Sequence, residues 1–187
     1  MRKIYFVRHA ERDTSVQDDT LAPLTTAGQI AADQLAIYFQ NKKITAIYTS
    51  PLTRGKETIL PTAKALHLPL QEVAALKERK VGAWVADFKA FTQQQWRDFT
   101  YHLSEGESLH AVLQRILPQY QQILLNSKGN IIIVGHGTAL SVLFHALTGG
   151  KFSYEDFCQL QQPDVLVACY DEKQQFIRLT HENSLTK

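Results

Sequence analysis

The stretch that decides the fold is Lys3-Ile4-Tyr5-Phe6-Val7-Arg8-His9-Ala10-Glu11. Ile4 to Val7 is a short run of β-branched and aromatic residues, which reads as a buried strand. It stops abruptly in Arg-His. In an open α/β sheet, ligands sit beyond the carboxyl ends of the strands, so Arg8 and His9 fall where such a sheet places its chemistry. The pattern recurs downstream. Ala46-Ile47-Tyr48-Thr49 leads into Ser50-Pro51-Leu52-Thr53-Arg54, and Asn130-Ile131-Ile132-Ile133-Val134 leads into Gly135-His136-Gly137. If these strands are parallel neighbours, two arginines and two histidines converge on one pocket. Forked guanidinium donors suit the oxygens of a phosphate dianion, and a neutral imidazole can serve as a phosphoryl acceptor.

Between these strands the pattern alternates helix and strand. Thr25 or Thr26 can cap a helix whose apolar face carries Ala27, Ala31, Leu35 and Tyr38. A second helix is predicted over 51–66, with Pro61 expected to kink or interrupt it. Residues 70–75 read as a short strand leading to Lys77-Glu78-Arg79-Lys80. Residues 84–103 are rich in aromatic side chains (Trp84, Phe88, Phe91, Trp96, Phe99, Tyr101) and read as a mostly helical insertion over the sheet edge. Helices follow over 109–125 and 138–147. Strands are expected at 165–170 and 176–179, with a loose tail from His181. The fold class is therefore α/β: a three-layer α/β/α sandwich with a mostly parallel central sheet and room for an antiparallel edge near the C-terminus. The 187 residues are expected to form one domain, 1–187, with the insertion at about 84–106.

Composition sets broad limits. Hydrophobic residues make up 44% and charged residues 20%, with a net charge of +2, an ordinary globular balance with no charge excess pointing to nucleic acid or a membrane surface. No apolar window approaches the ~20 residues of a membrane span, and Ile4–Val7 is too short for a signal-peptide core. A cytoplasmic location is expected. Cys158 and Cys169 lie in no metal-ligand spacing and read as buried or inert thiols. No HExxH or acidic metal cluster occurs, so neither a metal nor a cofactor is expected.

The ordered set of Arg8-His9, Ser50-Pro51-Leu52-Thr53-Arg54, Glu78 and Gly135-His136-Gly137 resembles the histidine phosphatase superfamily, whose members include cofactor-dependent phosphoglycerate mutases and many phosphomonoesterases. The resemblance runs from residue 2 to about residue 140. It implies a phosphoglycerate mutase-like fold and a metal-independent phosphomonoester hydrolase. His9 would be the nucleophile, passing through a phosphohistidine. Arg8, Arg54, His136 and Gly137 would hold the phosphoryl group, and Glu78 would protonate the leaving group, with Glu11 as the competing carboxylate. Glu107 and Ser108 resemble a Gly-Glu-Ser element that supports the pocket in several branches.

The chain also departs from the family pattern. Arg-His-Gly-Glu-Thr becomes Arg8-His9-Ala10-Glu11-Arg12, with Ser15 near the place of the usual asparagine. Ala31-Ala32 and Gly55 stand where Gln-Ala and alanine are usual. Gly-x-Trp-Glu-Gly becomes Gly82-Ala83-Trp84-Val85-Ala86. These changes spare the proposed nucleophile, arginines and acid, and favour hydrolysis over mutase activity. The alternatives are a phosphoglycerate mutase-like phosphotransferase and a non-catalytic module binding a phosphorylated ligand. The expected partner is a small-molecule phosphomonoester, with no nucleic acid and no membrane, and a homodimer is left open.

Overall fold

A computed structural model describes residues 1–182. Six strands form one sheet: β1 (Arg2–Arg8), β2 (Ile44–Thr49), β3 (Leu70–Glu72), β4 (Asn130–Gly135), β5 (Asp164–Tyr170) and β6 (Phe176–His181), in the order β3-β2-β4-β1-β5-β6. β1 to β4 are mutually parallel, and β5 and β6 run antiparallel at one edge. Helices α1 (Thr26–Phe39) and α2 (Thr53–Leu66) cover one face, and α4 (Leu109–Asn126) and α5 (Gly137–Leu147) the other. Covering both faces explains why β1 and β4 are continuously apolar. Ile4, Phe6, Ile131 and Ile133 point into the α4/α5 layer. Tyr5, Val7, Ile132 and Val134 point into the α1/α2 layer, as the two-residue period of a strand requires. The three-layer, mostly parallel sandwich is thus present, with its antiparallel edge. Among the described residues no helix is long and apolar enough to cross a membrane.

Several local expectations need correction. The strand at 70–75 stops at Glu72. Val73 N–H still donates to Thr49 carbonyl, but the chain then turns into a 3-10 turn, Ala74–Leu76, that buries Leu76 under α4. Pro61 does not interrupt α2. Ile59, Thr62 and Ala63 are buried on its inner face, and that packing outweighs one missing backbone bond. Thr25 caps α1, accepting from Gly28 N–H at 3.0 Å, but the buried face is Gly28, Ala32, Leu35 and Phe39, and Ala27 is exposed. Gly28 sets this rotation, since a Cβ there would lie 2.3 Å from the Glu11 carbonyl oxygen. α6 (Tyr154–Gln159) was not anticipated, although Ser153 and Asp156 form a reciprocal capping box visible in the sequence. Cys158 on α6 is exposed, whereas Cys169 is buried as expected. His181 is not loose: it belongs to β6, and Glu182 N–H donates to Val165 carbonyl at 2.9 Å. The remainder of that tail, 183–187, lies outside the described residues.

The aromatic stretch contains one helix, α3 (Phe88–Arg97), capped by Asp87 accepting from Ala90 N–H at 2.8 Å. The chain on either side of α3 is turns, so the segment is less helical than expected. It leaves and re-enters the fold at one place. Gly82 (φ +90°) and Gly106 stand back to back, each so close to the opposing backbone that a Cβ would lie 2.2–2.3 Å from it. Lys80 carbonyl accepts from Glu107 N–H at 2.8 Å, and Lys80 N–H donates to Glu107 Oε2 at 2.9 Å. Glu107 also pairs with Arg115, and Ser108 caps α4. The Gly-Glu-Ser element therefore fastens this junction.

Candidate functional site

β4 lies between β1 and β2, so the carboxyl ends of three neighbouring parallel strands deliver Arg8-His9, Ser50 with Arg54, and His136. The ladder bonds continue past the strands. His9 N–H donates to Gly135 carbonyl at 3.1 Å and Ser50 N–H to Val134 carbonyl at 3.0 Å. These bonds fix the backbone of the site to the centre of the sheet. Here the chain borders a cleft of about 720 Å³ whose walls include Arg8, His9, Arg54, Glu78, Gly137 and Thr138. His136 lies behind this wall, fully buried, its ring centroid 5.0 Å from that of His9.

His9 is 5% exposed. Its Nδ1 lies 2.7 Å from Ala10 carbonyl. A carbonyl only accepts, so Nδ1 carries the proton and Nε2 the lone pair of the neutral ring. Burial lowers the His9 pKa to about 3; the bond to Ala10 opposes this, and the Arg54, Arg8 and Arg12 charges reinforce it. The ring is neutral at physiological pH. His136 is held neutral in the same way, by burial first, reinforced by the nearby arginines. Ser50 Oγ accepts from Leu52 N–H at 3.2 Å and lies 2.8 Å from His136 Nε2. The hydroxyl can donate to Nε2 or accept from it, and the other ring nitrogen, Nδ1, is a buried atom with no partner among the described residues.

The two arginines are engaged differently. Arg8 Nη1 donates to Leu160 carbonyl at 2.7 Å, and its Nε is buried without a partner among the described residues. A Cβ on Gly137 would lie 3.2 Å from the Arg8 Cζ, so glycine lets the guanidinium lie flat against the start of α5. Arg54 is 2% exposed and donates to the carbonyl and carboxylate of Asp19, which also faces Arg12 at 3.6 Å. The sequence offered no sign that Asp19 reaches across to Arg54, because the contact spans 35 positions of an irregular loop.

Glu78 enters the cleft just after the 3-10 turn. Its carboxylate accepts from Arg79 N–H at 2.6 Å, Thr138 N–H at 2.9 Å and Ala139 N–H at 3.1 Å. His136 occupies the N-cap position of α5 without a capping side-chain bond, and Glu78 satisfies those free amides instead. Oε1 takes two of the three bonds and Oε2 one. Trp84, on the turn outside α3, is 87% exposed. Glu11 is exposed and does not line the cleft, whereas Glu78 does, together with His9 and Arg8.

Arg12, Gln17, Asp19, Arg79, Lys80, Trp84, Phe88 and Phe157 line the rest of the cleft. Cations outnumber anions there. Arg79 is 5% exposed, bonds the neutral Gln95, and stacks against Phe88 and Phe91 at 5.5 and 5.1 Å. Among the described residues it makes no ion pair, and its Nε is unpartnered. Its sequence context, Lys77-Glu78-Arg79-Lys80, looks like an exposed charged turn. The one available signal was its place directly after Glu78.

The family model for the histidine phosphatase superfamily (branch 1) matches residues 4–183. A protein of Bacillus subtilis described as an uncharacterized phosphatase, PhoE, is 30% identical over 155 residues, covering 80% of this chain and 79% of that one. A probable phosphoglycerate mutase, GpmB, of Serratia proteamaculans is 28% identical over 163 residues, covering 80% and 76%. Among solved structures, phosphoserine phosphatase from Entamoeba histolytica in complex with 3-phosphoglyceric acid superposes with a TM-score of 0.81 at 20% identity, covering 99% of both chains.

Proposed function

This chain belongs to the histidine phosphatase superfamily, and we propose that it hydrolyses small phosphomonoesters through a phosphohistidine at His9, with no metal in the reaction. The observation that carries this reading is the neutral, buried His9 imidazole. Its Nδ1 proton is held by Ala10 carbonyl, which leaves its Nε2 lone pair free, in a cleft it lines together with Arg8 and Arg54. In the first step Nε2 forms a bond to phosphorus while the bond from phosphorus to the leaving oxygen breaks. Glu78 gives that oxygen a proton from Oε2, the less encumbered of its oxygens. In the second step Glu78 takes a proton from water, the water oxygen bonds to phosphorus, and the N–P bond breaks to release inorganic phosphate. Arg8 and Arg54 neutralise the phosphoryl oxygens throughout, and His136, in the tautomer protonated at its unpartnered Nδ1, adds a donor beside His9.

The outer end of the cleft favours a substrate with a second acidic group. Arg79 is a buried guanidinium without a carboxylate in ion-pair contact among the described residues, and a buried charge is costly until it is paired. Lys80 and Arg12 add positive charge along the same wall. The free thiols Cys158 and Cys169 suit a reducing compartment such as the cytoplasm.

The test is turnover of an aryl phosphate in excess EDTA, with and without vanadate, for wild type and His9→Ala. Vanadate-sensitive, EDTA-resistant turnover that falls by roughly 10⁴-fold or more in the variant is expected. Activity that survives His9→Ala would remove His9 as nucleophile. Isomerisation of a phosphoglycerate without phosphate release would move the chain to the mutase reading.

A further inference from the structure

Arg8 is fastened through a single peptide group. Its Nη1 donates to Leu160 carbonyl at 2.7 Å. The N–H of that same peptide, on Gln161, donates to Asp164 Oδ2 at 2.9 Å. The Leu160–Gln161 peptide is trans, so its N–H and C=O point in opposite directions. Fixing one end aims the other. A carboxylate on the N–H also polarises the carbonyl and strengthens it as an acceptor. Asp164 is itself fully committed. It is 4% exposed, its Oδ1 accepts from Val165 N–H at 2.9 Å, and the same oxygen contacts His181 Nε2 on β6. In the β1–β5 register Arg8 and Asp164 stand opposite each other, yet no direct ion pair within 4.0 Å joins them among the described residues. The carboxylate thus reaches Arg8 through the peptide and leaves the ligand-facing edge of the guanidinium unoccupied.

We propose that Asp164 is the positioning residue for Arg8: its carboxylate holds the Gln161 N–H, and through that peptide it orients and polarises the carbonyl that grips Nη1. The antiparallel β5–β6 edge thereby acts on phosphate affinity although neither strand touches the ligand. This rests on the reading that Arg8 binds phosphate.

The experiment is calorimetric titration of the full chain with inorganic phosphate, for wild type, Arg8→Ala, Asp164→Ala and the double variant. Arg8→Ala is expected to weaken phosphate about a hundredfold and Asp164→Ala about tenfold. The double variant should bind no more weakly than Arg8→Ala alone, because Asp164 acts only through Arg8. Asp164→Asn, which keeps an oxygen for Gln161, should recover part of the loss. Gln161→Pro deletes the same hydrogen bond with Asp164 intact, and the extended conformation of Leu160 (φ −62°, ψ 130°) already suits a following proline; it should also weaken phosphate about tenfold, and it carries the test if Asp164→Ala does not fold. Equal loss from Asp164→Ala in both backgrounds would overturn the proposal, as would native-like melting with unchanged affinity in Asp164→Ala or Gln161→Pro. Unchanged affinity in Arg8→Ala would instead overturn the phosphate role of Arg8 itself.

Discussion

The two ends of the cleft are built by different means. At the inner end, His9, Arg54 and His136 are almost wholly buried, and the backbones of His9 and Ser50 prolong the hydrogen-bond ladders of β1, β2 and β4. At the outer end, Arg79, Lys80, Trp84 and Phe88 stand on irregular chain or on the edge of α3, with Trp84 87% and Phe88 52% exposed. The inner end is fixed by the sheet itself, so its geometry follows from strand position and residue type. The outer end is fixed by side chains meeting across the sequence, as Arg79 meets Gln95. Common chemistry belongs to the first kind of construction and selectivity to the second.

Four substitutions or measurements sharpen this contrast. The largest effect is expected from Glu78→Gln, which lies where the two ends meet. With an alkyl phosphate, whose leaving oxygen needs a proton, kcat/KM should fall by about 10²–10⁴. With a dinitrophenyl phosphate, whose leaving group needs none, the fall should stay below about tenfold; equal losses on both substrates would remove the acid role. Next is Arg79→Met, which keeps the stem packed between Phe88 and Phe91. KM for a phosphorylated carboxylic acid should rise about ten- to hundredfold while KM for an aryl phosphate moves less than about threefold. A shared rise would mean that Arg79 serves the inner end.

The third measurement concerns pH. The folded pKa of His9 lies at about 3, below its unfolded value of ~6.5. Between these values the unfolded chain holds a proton that the folded chain lacks, so the His9 contribution to stability is complete above about pH 6.5 and declines on acidification toward pH 3. Urea unfolding at pH 7.5 and 4.5 should show a stability loss on acidification that is smaller in His9→Gln. An equal loss in both proteins would contradict the buried, neutral ring. The smallest effect is expected from Trp84→Ala: a side chain this exposed should change unfolding free energy by no more than about 0.5 kcal/mol.

Legibility in the sequence follows the same division. The runs Ile4–Val7 and Ile131–Val134 are apolar on both faces because both faces are covered, and such runs announce buried parallel strands. Their termini then announced Arg8, His9 and His136. The face of α1 was misread by one position because alanines at 27, 31 and 32 carry little directional signal. What rotates the helix is the approach of Gly28 to the Glu11 carbonyl, a tertiary contact. Glu78 was identified by family pattern, but its bond to α5 joins residues 60 and 61 positions apart, and no local rule reports that. The Ser153–Asp156 capping box is legible in the sequence, but the six residues of α6 are too few to show a helical period.

The paired glycines at 82 and 106 have an engineering consequence. A segment whose two ends are clasped at one point behaves as an exchangeable cassette. Closure entropy sets little limit on its length, since doubling a loop costs only about 0.6 kcal/mol; what an exchange must replace is the Gln95 bond to Arg79 and the packing of Trp96 and Phe99 on the core. Grafting a different insert between these glycines would redraw the mouth of the cleft and leave the strand-end chemistry in place, so new substrate ranges become reachable without redesigning the catalytic floor.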